Sequence, residues 1–557
     1  MVESLNTSII ILGGSIVGLC NALFLAQRGV PCVLIERHAG SSPHPRAMGW
    51  THRTMELFRT VDGLEAELKA FPSRAGGKPR RVTTKTLNDK WDDESHWTNS
   101  KPGAGPRGGA PAAGKGPAPA DFSSATPVGA LGIAQDKLEP ILRAKAIALG
   151  ADLRLGYKMT DWSLNDDDNN VSLTATNSAT GNTLYIKGSY LVACDGANSR
   201  IRTDLGIATS GVGHLRTMYS TLFRCPSIEH HLASGVSQWS IQNDDLEAFL
   251  VTYQEGRWAL MTSNPAHESL DDDERKGLIR QAIGGGGEVE VEILARGTWA
   301  LRGAIADAFA DKSNRVFLAG DAAHALPPNR GGYGANTGVA DAHNLAWKLD
   351  AVLAGRADKA LLETYDAERR PVALVRHDQI FAREDYRQYV ADSAWLAERK
   401  QSGKGGIEVL DDVAMELGQV YHSGAVMMNG DDDEGKQGLA KTPAESRGQP
   451  GFRAPHIWLN KGDATVSSLD LLCGGWVVLS KDPSWKGRLG EVKSAECVIV
   501  GHDVEEADQG AFEVAFGVGN TGAILIRPDG YVGARWKDST ALGDVKQVHM
   551  LVGYTSC

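Results

Sequence analysis

The spacing of hydrophobic residues changes twice within the first forty positions. Residues 8–12 read Ser-Ile-Ile-Ile-Leu and carry no charge, which is typical of a strand buried on both faces. A glycine-rich turn follows, and apolar residues then recur at helical spacing over residues 19–26. A second apolar run, residues 30–35, ends at Glu36. This order predicts a strand, a tight turn, a helix and a second strand.

The turn of this unit has the spacing of a nucleotide-binding loop. Amides at the start of a helix can face a pyrophosphate, and an acid after the second strand can bind ribose hydroxyls. Gly13, Gly18 and Glu36 occupy these positions, whereas Ser15 stands where the middle glycine of the fingerprint is expected. Its side chain either crowds the pyrophosphate or donates a hydrogen bond to it. The pattern alone also fits any tight strand–helix turn.

Two later strands end beside an aspartate and a glycine. Residues 189–193 run into Asp195-Gly196, and residues 315–319 run into Gly320-Asp321. A long amphipathic helix is predicted from Val339 onwards. Each aspartate taken alone could equally be a helix cap at a strand end. The two motifs are therefore interpreted together with the first turn.

Residues 208–311 alternate between apolar and polar side chains. The runs 218–223, 247–253 and 256–261 show this alternation, which predicts antiparallel strands with one polar face. After about residue 405 the predicted helices give way to a Gly- and Asp-rich stretch. Further strands are then predicted near residues 475–479, 495–500 and 523–532.

Composition narrows the class of protein. The chain has 557 residues, of which 42% are hydrophobic and 23% charged, the balance of a globular protein with about three domains. A net charge of −11 disfavours a nucleic-acid-binding surface. The seven cysteines include no CxxC pair, and no clustered Cys/His spacing occurs, so we expect no metal.

Two segments could be misread. The apolar stretch 9–26 approaches the length of a membrane span, but a glycine pair interrupts it. We therefore expect a cytoplasmic protein without a membrane span. Residues 101–120 are almost entirely Gly, Ala and Pro, so we expect a flexible insertion over residues 98–120, with a linker as the simpler interpretation.

The three glycine motifs together resemble the signatures of group A flavoprotein monooxygenases, the aromatic hydroxylase family. Further segments agree with this resemblance, which spans about residues 8–390. They are Gln135-x-x-Leu138-Glu139-x-x-Leu142-Arg143, His44-Pro45-Arg46-Ala47 followed by Arg53-Thr54-Met55-Glu56, and Tyr365-x-x-Glu368-Arg369-Arg370-Pro371. The C-terminal strands resemble the thioredoxin-like domain of the phenol hydroxylase and polyketide hydroxylase branch.

The resemblance implies an α/β and α+β fold. A Rossmann-like FAD-binding domain over residues 1–71, 129–207 and 312–405 would be interleaved with an antiparallel-sheet substrate domain over residues 72–128 and 208–311. Residues 406–557 would form a thioredoxin-like α/β domain. Because that domain lacks CxxC, we expect it to serve a structural or dimerising role, with a homodimer as the candidate assembly.

The resemblance also implies a reaction. Such enzymes use FAD, NADH or NADPH, and O2 to hydroxylate a phenolic or polycyclic aromatic substrate through a flavin C4a-hydroperoxide. Epoxidation or Baeyer–Villiger oxygen insertion on the same scaffold is the alternative, and so is a FAD-binding protein without oxygenation. The sequence decides neither the reductant nor the substrate, and we assign no catalytic base.

Site residues follow from the matched motifs. The implied catalytic positions are Arg46 and Pro327. The implied cofactor-binding residues are Gly13, Ser15, Gly18, Glu36, Arg37, Arg46, Gln135, Asp195, Gly320, Asp321, Pro328, Gly334, Asn336 and Thr337. Candidate substrate residues are Tyr219, Phe249, Tyr253 and Trp258, although each type is more often core. One departure is Asn329-Arg330, where many relatives have one residue; it either places an arginine near the flavin or lengthens a turn.

Overall fold

The described residues contain thirteen α-helices. The computed structural model describes residues 2–71, 80–93, 122–165, 169–285, 289–328, 332–383, 386, 389–391, 393–401, 407, 409–428, 440–472, 474–488 and 495–538. The α-helices there are α1 Ile16–Gln27, α2 His52–Arg59, α3 Leu64–Lys69, α4 Gln135–Ala148, α5 Arg200–Asp204, α6 Asp272–Ile283, α7 Tyr333–Leu353, α8 Glu363–Ala382, α9 Ala394–Gln401, α10 Asp412–Leu417, α11 Pro443–Ser446, α12 Ser484–Arg488 and α13 Ala511–Phe516.

The first sheet contains the predicted strand–turn–helix–strand unit. Its strands are β1 Val2–Leu12, β2 Cys32–Glu36, β7 Asp152–Leu155, β8 Tyr157–Asn165, β9 Asn170–Asn177, β10 Thr183–Ala193 and β16 Val316–Leu318. Strand β1 pairs in parallel with β2 and β10, and β10 pairs in parallel with β16. The carboxyl ends of these strands therefore share one edge, where α/β sheets bind their ligands.

The second sheet is mostly antiparallel. Its strands are β4 Arg80–Thr84, β5 Asp92–Asp93, β11 Thr209–Arg224, β12 Val236–Gln242, β13 Glu247–Gln254, β14 Arg257–Thr262, β15 Glu292–Ala306 and β17 His324–Ala325. The strands predicted from alternation at 218–223, 247–253 and 256–261 are confirmed as parts of β11, β13 and β14. Only β4 and β12 pair in parallel among the described strands of this sheet.

A small two-stranded ribbon joins the segments on either side of the Gly-rich insertion. It consists of β3 Gly49–Trp50 and β6 Leu131–Gly132. Residues on both sides of the Gly-rich insertion thus meet, because β3 precedes it and β6 follows it. The insertion itself, and the Asn329-Arg330 pair, lie outside the described residues.

The C-terminal part builds two further sheets. One contains β20 Trp476–Ser480, β21 Ala495–Ile499, β23 Ala523–Ile526 and β24 Val532–Trp536, and the other β18 Trp458–Lys461, β19 Ala464–Ser467 and β22 Glu505–Glu506. Strands β20 and β21 are parallel, whereas β23 is antiparallel to β20 and β24. The prediction of one strand over 523–532 is wrong, because the chain turns between β23 and β24 at Pro528-Asp529-Gly530.

Candidate active site

The three glycine motifs converge at the shared edge of the first sheet. Gly13 has a φ of +110°, and a Cβ there would overlap the Cys194 carbonyl oxygen. Gly320 has a φ of +60°, and a Cβ there would lie 2.7 Å from Val17 Cγ2 in the first turn of α1. Glycine is the residue that tolerates both conditions. We call this edge, formed by residues 13–18, 194–196 and 320–321, the motif edge.

Glu36 lies beside the turn of the motif edge, as its spacing predicts. Its carboxylate accepts hydrogen bonds from the Gly14 amide (2.6 Å) and the His38 amide (2.8 Å). Its neighbour Arg37 is exposed, and its Nε contacts the His38 ring. An acid at the end of the second strand is thus held close to the helix N-terminus, the arrangement in which a ribose is bound.

Ser15 turns its hydroxyl towards α4. The hydroxyl donates to Glu139 Oε1 (2.9 Å) and accepts from Gln135 Nε2 (2.9 Å). Gln135 Oε1 in turn accepts from the amides of Arg46 and Ala47, both at 3.3 Å. Both roles predicted for Ser15 concern a bound pyrophosphate. In the structure its hydroxyl instead forms hydrogen bonds with Glu139 and Gln135 of the protein.

Asp195 acts in part as a helix cap. Its Oδ2 accepts from the Arg200 amide (2.9 Å) at the start of α5. Its Oδ1 is buried and has no hydrogen-bond partner among the described residues. A buried carboxylate oxygen without a donor is costly, so the motif edge retains capacity to accept a hydrogen bond from a ligand.

The side chain of Asp321 is accessible to solvent at the motif edge, and nearby protein groups partly desolvate its carboxyl. Desolvation by these surroundings raises the pKa of its carboxyl, while His324 and Arg46 act to lower it. The adjacent Gly320 amide donates to Asp341 Oδ2 (3.2 Å), which fixes the turn from inside the core. Asp321 can therefore offer a carboxylate to hydroxyl groups of a bound ligand.

The start of α7 presents backbone to the motif edge, and its polar side chains face the protein. Asn336 Oδ1 accepts from the Thr51 amide (3.1 Å) and the Thr54 hydroxyl (2.6 Å). Thr337 donates to the Tyr333 carbonyl and accepts from Arg376. Within the described part of this region, the amides at the very start of α7, around Gly334, have no intrahelical partner and are available to an anionic ligand.

The proline corner precedes α7. Pro327 is buried and Pro328 is exposed. The Tyr386 hydroxyl donates to the Pro328 carbonyl, which holds the corner against the chain after α8.

A bridging segment, residues 44–50, connects the motif edge to the second sheet. Its amides bind Gln135, as described, and the Gly49 carbonyl accepts from Asn336 Nδ2 (3.1 Å). At its other end, His44 Nε2 lies 2.8 Å from Ser220 Oγ on β11. Met48 packs against an apolar cluster of β13 and β14. Arg46 projects from this segment as an exposed cation beside Asp321.

The second sheet has two distinct faces. Cross-strand partners share a face, and Phe249 pairs with Met261, which pairs with Ser220. We call this side the inner face; it consists of Ser220, Leu222, Phe249, Val251, Tyr253, Ala259 and Met261. It packs against Met48 of the bridging segment and Ala134 before α4.

The four predicted substrate residues divide between these faces. Phe249 and Tyr253 lie on the inner face, in the cluster that includes Met48. Trp258 pairs with Thr252 and Phe223 on the opposite face and is fully buried in a cluster with Trp239 and α6. Tyr219 shares that opposite face, since it pairs with Thr262. The structure therefore corrects the prediction for Trp258, which is a core residue.

Two absences complete the description. Among the residues that the structure describes, no group of three His, Cys, Asp or Glu side chains could hold a metal ion. No helix in the same residues has the length and apolarity needed to cross a membrane.

Comparison with known families identifies this arrangement. Residues 6–378 match the family model described as "FAD binding domain", and residues 447–550 match "Aromatic-ring hydroxylase, C-terminal". The chain belongs to the FAD-dependent aromatic-ring hydroxylases. This hydroxylase thus has the fold class expected from its sequence, in which a Rossmann-like domain, an antiparallel sheet and a thioredoxin-like domain are combined.

Several curated relatives cover nearly the whole hydroxylase. A 4-methyl-5-nitrocatechol 5-monooxygenase from Burkholderia sp is 36% identical, over 96% of this chain and 95% of the relative. A tetracenomycin A2 monooxygenase-dioxygenase from Streptomyces glaucescens is 32% identical, over 97% and 95%. Among solved structures, aklavinone-11 hydroxylase with FAD and aklavinone is similar with a TM-score of 0.80, 27% identity and coverage of 98% and 99%.

The residues at the motif edge fit FAD. Among the described residues, the motif edge offers a buried acceptor on Asp195 without a hydrogen-bond partner and an exposed carboxylate on Asp321, and the neighbouring first turn of α7 offers backbone amides. These groups match a cofactor with ribityl hydroxyls and a flavin ring that becomes negative on reduction. Sequence reasoning missed Asp341 and Ser220, which support the site, because their partners lie on other elements of the fold.

Proposed function

We propose that this hydroxylase adds oxygen to a phenolic or catecholic ring, with NAD(P)H as the reductant and O2 as the second substrate. The observation that carries the proposal is the bridging segment, which spans from the motif edge to the inner face and carries Arg46. A ring held between that face and the flavin would be within reach of both. Bound FAD supplies the redox and oxygen-activating chemistry.

The protein's own groups supply position, charge and exclusion of water. Amides in the first turn of α7 would stabilise negative charge on the flavin ring. Arg46 would offset the charge of an anionic intermediate or of the reductant's phosphates. The apolar inner face, with Phe249 and Val251, would keep water from the reacting ring, which matters because water promotes unproductive oxidation.

A catechol is the substrate class that we favour. The 36% identical relative is named for a nitrocatechol and aligns over nearly its whole length. A second candidate is a polycyclic phenol, favoured by the 27% identical structure that holds aklavinone. Both classes present a hydroxylated aromatic ring, so the same mode of activation serves either.

Oxygen labelling tests the proposal. Purified protein should carry FAD and should oxidise NADH or NADPH faster when a substrate is present. Under ¹⁸O2, mass spectrometry of reactions with 4-methylcatechol, 4-methyl-5-nitrocatechol and a polycyclic phenol should show one labelled oxygen in the product. Protein that takes up no FAD, or that releases only peroxide with every ring offered, would overturn the proposal.

The same experiment separates the other reactions of the scaffold. A labelled epoxide or a ring-expanded lactone would identify epoxidation or Baeyer–Villiger insertion in place of hydroxylation. FAD uptake without any NAD(P)H oxidation would indicate a FAD-binding protein without oxygenation.

A further inference from the structure

The imidazole of His44 lies at the boundary between the bridging segment and the inner face. Its Nε2 is 2.8 Å from the Ser220 hydroxyl, and its Nδ1 is 3.2 Å from the Pro45 carbonyl. Its ring also meets the ring of Tyr253 edge-on, with centroids 6.5 Å apart. The side chain is half-buried, so one part of it stays accessible while the rest is held from both sides.

These contacts define the tautomer of His44. A carbonyl oxygen can only accept, so Nδ1 must carry the hydrogen. Nε2 is then the bare nitrogen, and it accepts from the Ser220 hydroxyl. A hydroxyl donor therefore already occupies the position in which Nε2 would receive a proton.

The charge of the imidazole follows from its surroundings. Desolvation lowers the pKa of His44, the Pro45 carbonyl raises it, and the neighbouring Arg46 lowers it. Arg46, on its own segment, and Tyr253, on the sheet, are the titratable groups that face the ring in the described residues. The net shift is downward, so His44 is neutral near neutral pH and can accept a proton.

We propose that His44 accepts the proton of the substrate's ring hydroxyl, and that Ser220 is a positioning residue that fixes the orientation of the imidazole. The inference rests on the proposed function, because it assigns the group that activates a phenol or catechol. A ring hydroxyl that reaches Nε2 takes the place of the Ser220 hydroxyl. The two hydroxyls are chemically alike as donors.

The proton transfer balances without another reactant. The O–H bond of the ring breaks, and the proton forms a bond to Nε2. The electron pair stays on the ring oxygen, which gives a phenolate and an imidazolium, and Arg46 adds positive charge that favours the phenolate. A phenolate ring is richer in electrons than a phenol, so it attacks an electrophilic oxygen more readily. The imidazolium returns its proton to that oxygen in the product.

A matched pair of substrates tests the inference. The hydroxyls of 4-methylcatechol ionise near the phenolic value of about 10, whereas the nitro group makes 4-methyl-5-nitrocatechol much more acidic. His44→Gln keeps an acceptor amide near Nε2 but cannot take up a proton. We expect it to lower kcat for 4-methylcatechol by about 100-fold, the range of a general base, and kcat for the nitrocatechol by less than about 3-fold.

A second measurement needs no turnover. Ionisation of 4-methyl-5-nitrocatechol changes its visible spectrum, so its apparent pKa can be titrated while it is bound to the FAD-loaded enzyme. The wild type should lower this pKa relative to free ligand, and His44→Gln should abolish most of the shift. Ser220→Ala should leave a shift of intermediate size, because the imidazole persists without its positioning partner.

The control is His214→Gln on the same sheet. His214 on β11 also contacts a hydroxyl, Thr217 Oγ1 at 3.3 Å, but its side chain is exposed. It should change neither kcat nor the ligand pKa. Equal loss with both catechols in His44→Gln, or an unchanged ligand pKa, would overturn the role of His44 while leaving the proposed function standing. If the wild type labels no ring, both proposals fail.

Discussion

At the scale of single residues, Ser15 decides how the nucleotide motif is read. The sequence left two roles open for it, and both concerned the pyrophosphate. In the structure its hydroxyl is shared between Gln135 and Glu139 of α4. Glu139 is almost fully buried, so the serine satisfies a carboxylate that would otherwise lose a donor. No local pattern could reveal this, because Glu139 lies 124 residues away.

Ser15→Ala tests that interpretation. Removing the hydroxyl leaves Glu139 with one donor fewer, so we expect the free energy of unfolding to fall by about 1–2 kcal/mol. Denaturant unfolding of the FAD-loaded protein measures the change. FAD affinity should change by less than about 3-fold, since the loop amides remain. Ser178→Ala, at an exposed turn, serves as the control, and a large loss of FAD affinity with unchanged stability would contradict the assignment.

At the scale of elements, helices α7 and α8 are joined to the motif edge by buried hydrogen bonds. Asp341 on α7 accepts from His324 Nε2 (2.7 Å), Arg369 Nε (2.8 Å) and the Gly320 amide. The side chains of Asp341, His324 and Arg369 are fully buried. Sequence periodicity predicted the helix from Val339 onwards, and the family resemblance marked the Glu368-Arg369 motif of α8. It could not show that these charged side chains point into the core, because their partners lie on other elements.

Asp341→Asn should strongly destabilise the protein. The substitution leaves Arg369 buried without its counter-ion, a change that typically costs about 3–5 kcal/mol. Asparagine also keeps only one acceptor oxygen for the donors that Asp341 now serves with two, so the turn at Gly320 is held less firmly and FAD affinity should fall as well. Unfolding by denaturant and FAD release by fluorescence measure the two effects. Glu363→Gln, an exposed substitution at the start of α8, should change stability by less than about 0.5 kcal/mol.

The same carboxyl predicts acid sensitivity. Burial alone would raise the pKa of Asp341, but His324 and Arg369 outweigh it and hold the pKa at about 2, below the ordinary 3.8. A folded-state pKa below the unfolded value stabilises the protein above that unfolded value. This stability is lost as pH falls from about 3.8 to about 2. Stability measured across this window should fall less steeply in Asp341→Asn than in the wild type, and equal slopes would contradict the assignment.

At the scale of the whole molecule, the C-terminal domain is joined to the FAD-binding part by buried ion pairs. Arg527 donates to both oxygens of Glu368, at 2.6 and 2.8 Å, and Lys348 donates to the same carboxylate. Arg453 likewise binds Glu56 on α2. The sequence predicted a C-terminal domain, and because it lacks a CxxC pair we expected a structural or dimerising role. These contacts support the structural role. Pairs separated by up to 397 residues leave no trace in local patterning.

A double-mutant cycle across this interface tests how strongly the domains are coupled. Glu368→Met and Arg527→Met should each cost several kcal/mol, because the first takes a carboxylate from the buried Arg527 and Lys348, and the second takes the guanidinium from the buried Glu368 and Asp529. The double variant should lose less free energy of unfolding than the sum of the two single variants, with a coupling energy of at least about 2 kcal/mol.

The matched control is Arg59 and Asp470, which pair at 2.7 Å across the same interface but are about one-quarter exposed. Their coupling energy should stay below about 1 kcal/mol. FAD content should fall in both single Met variants at the buried pair, and the loss in the double variant should be smaller than the sum of the two, because α7 carries Lys348, which pairs with Glu368, and the amides that face the cofactor. Additive costs at the buried pair, or FAD retention in unstable single variants, would mean that the C-terminal domain is attached to the cofactor site without supporting it.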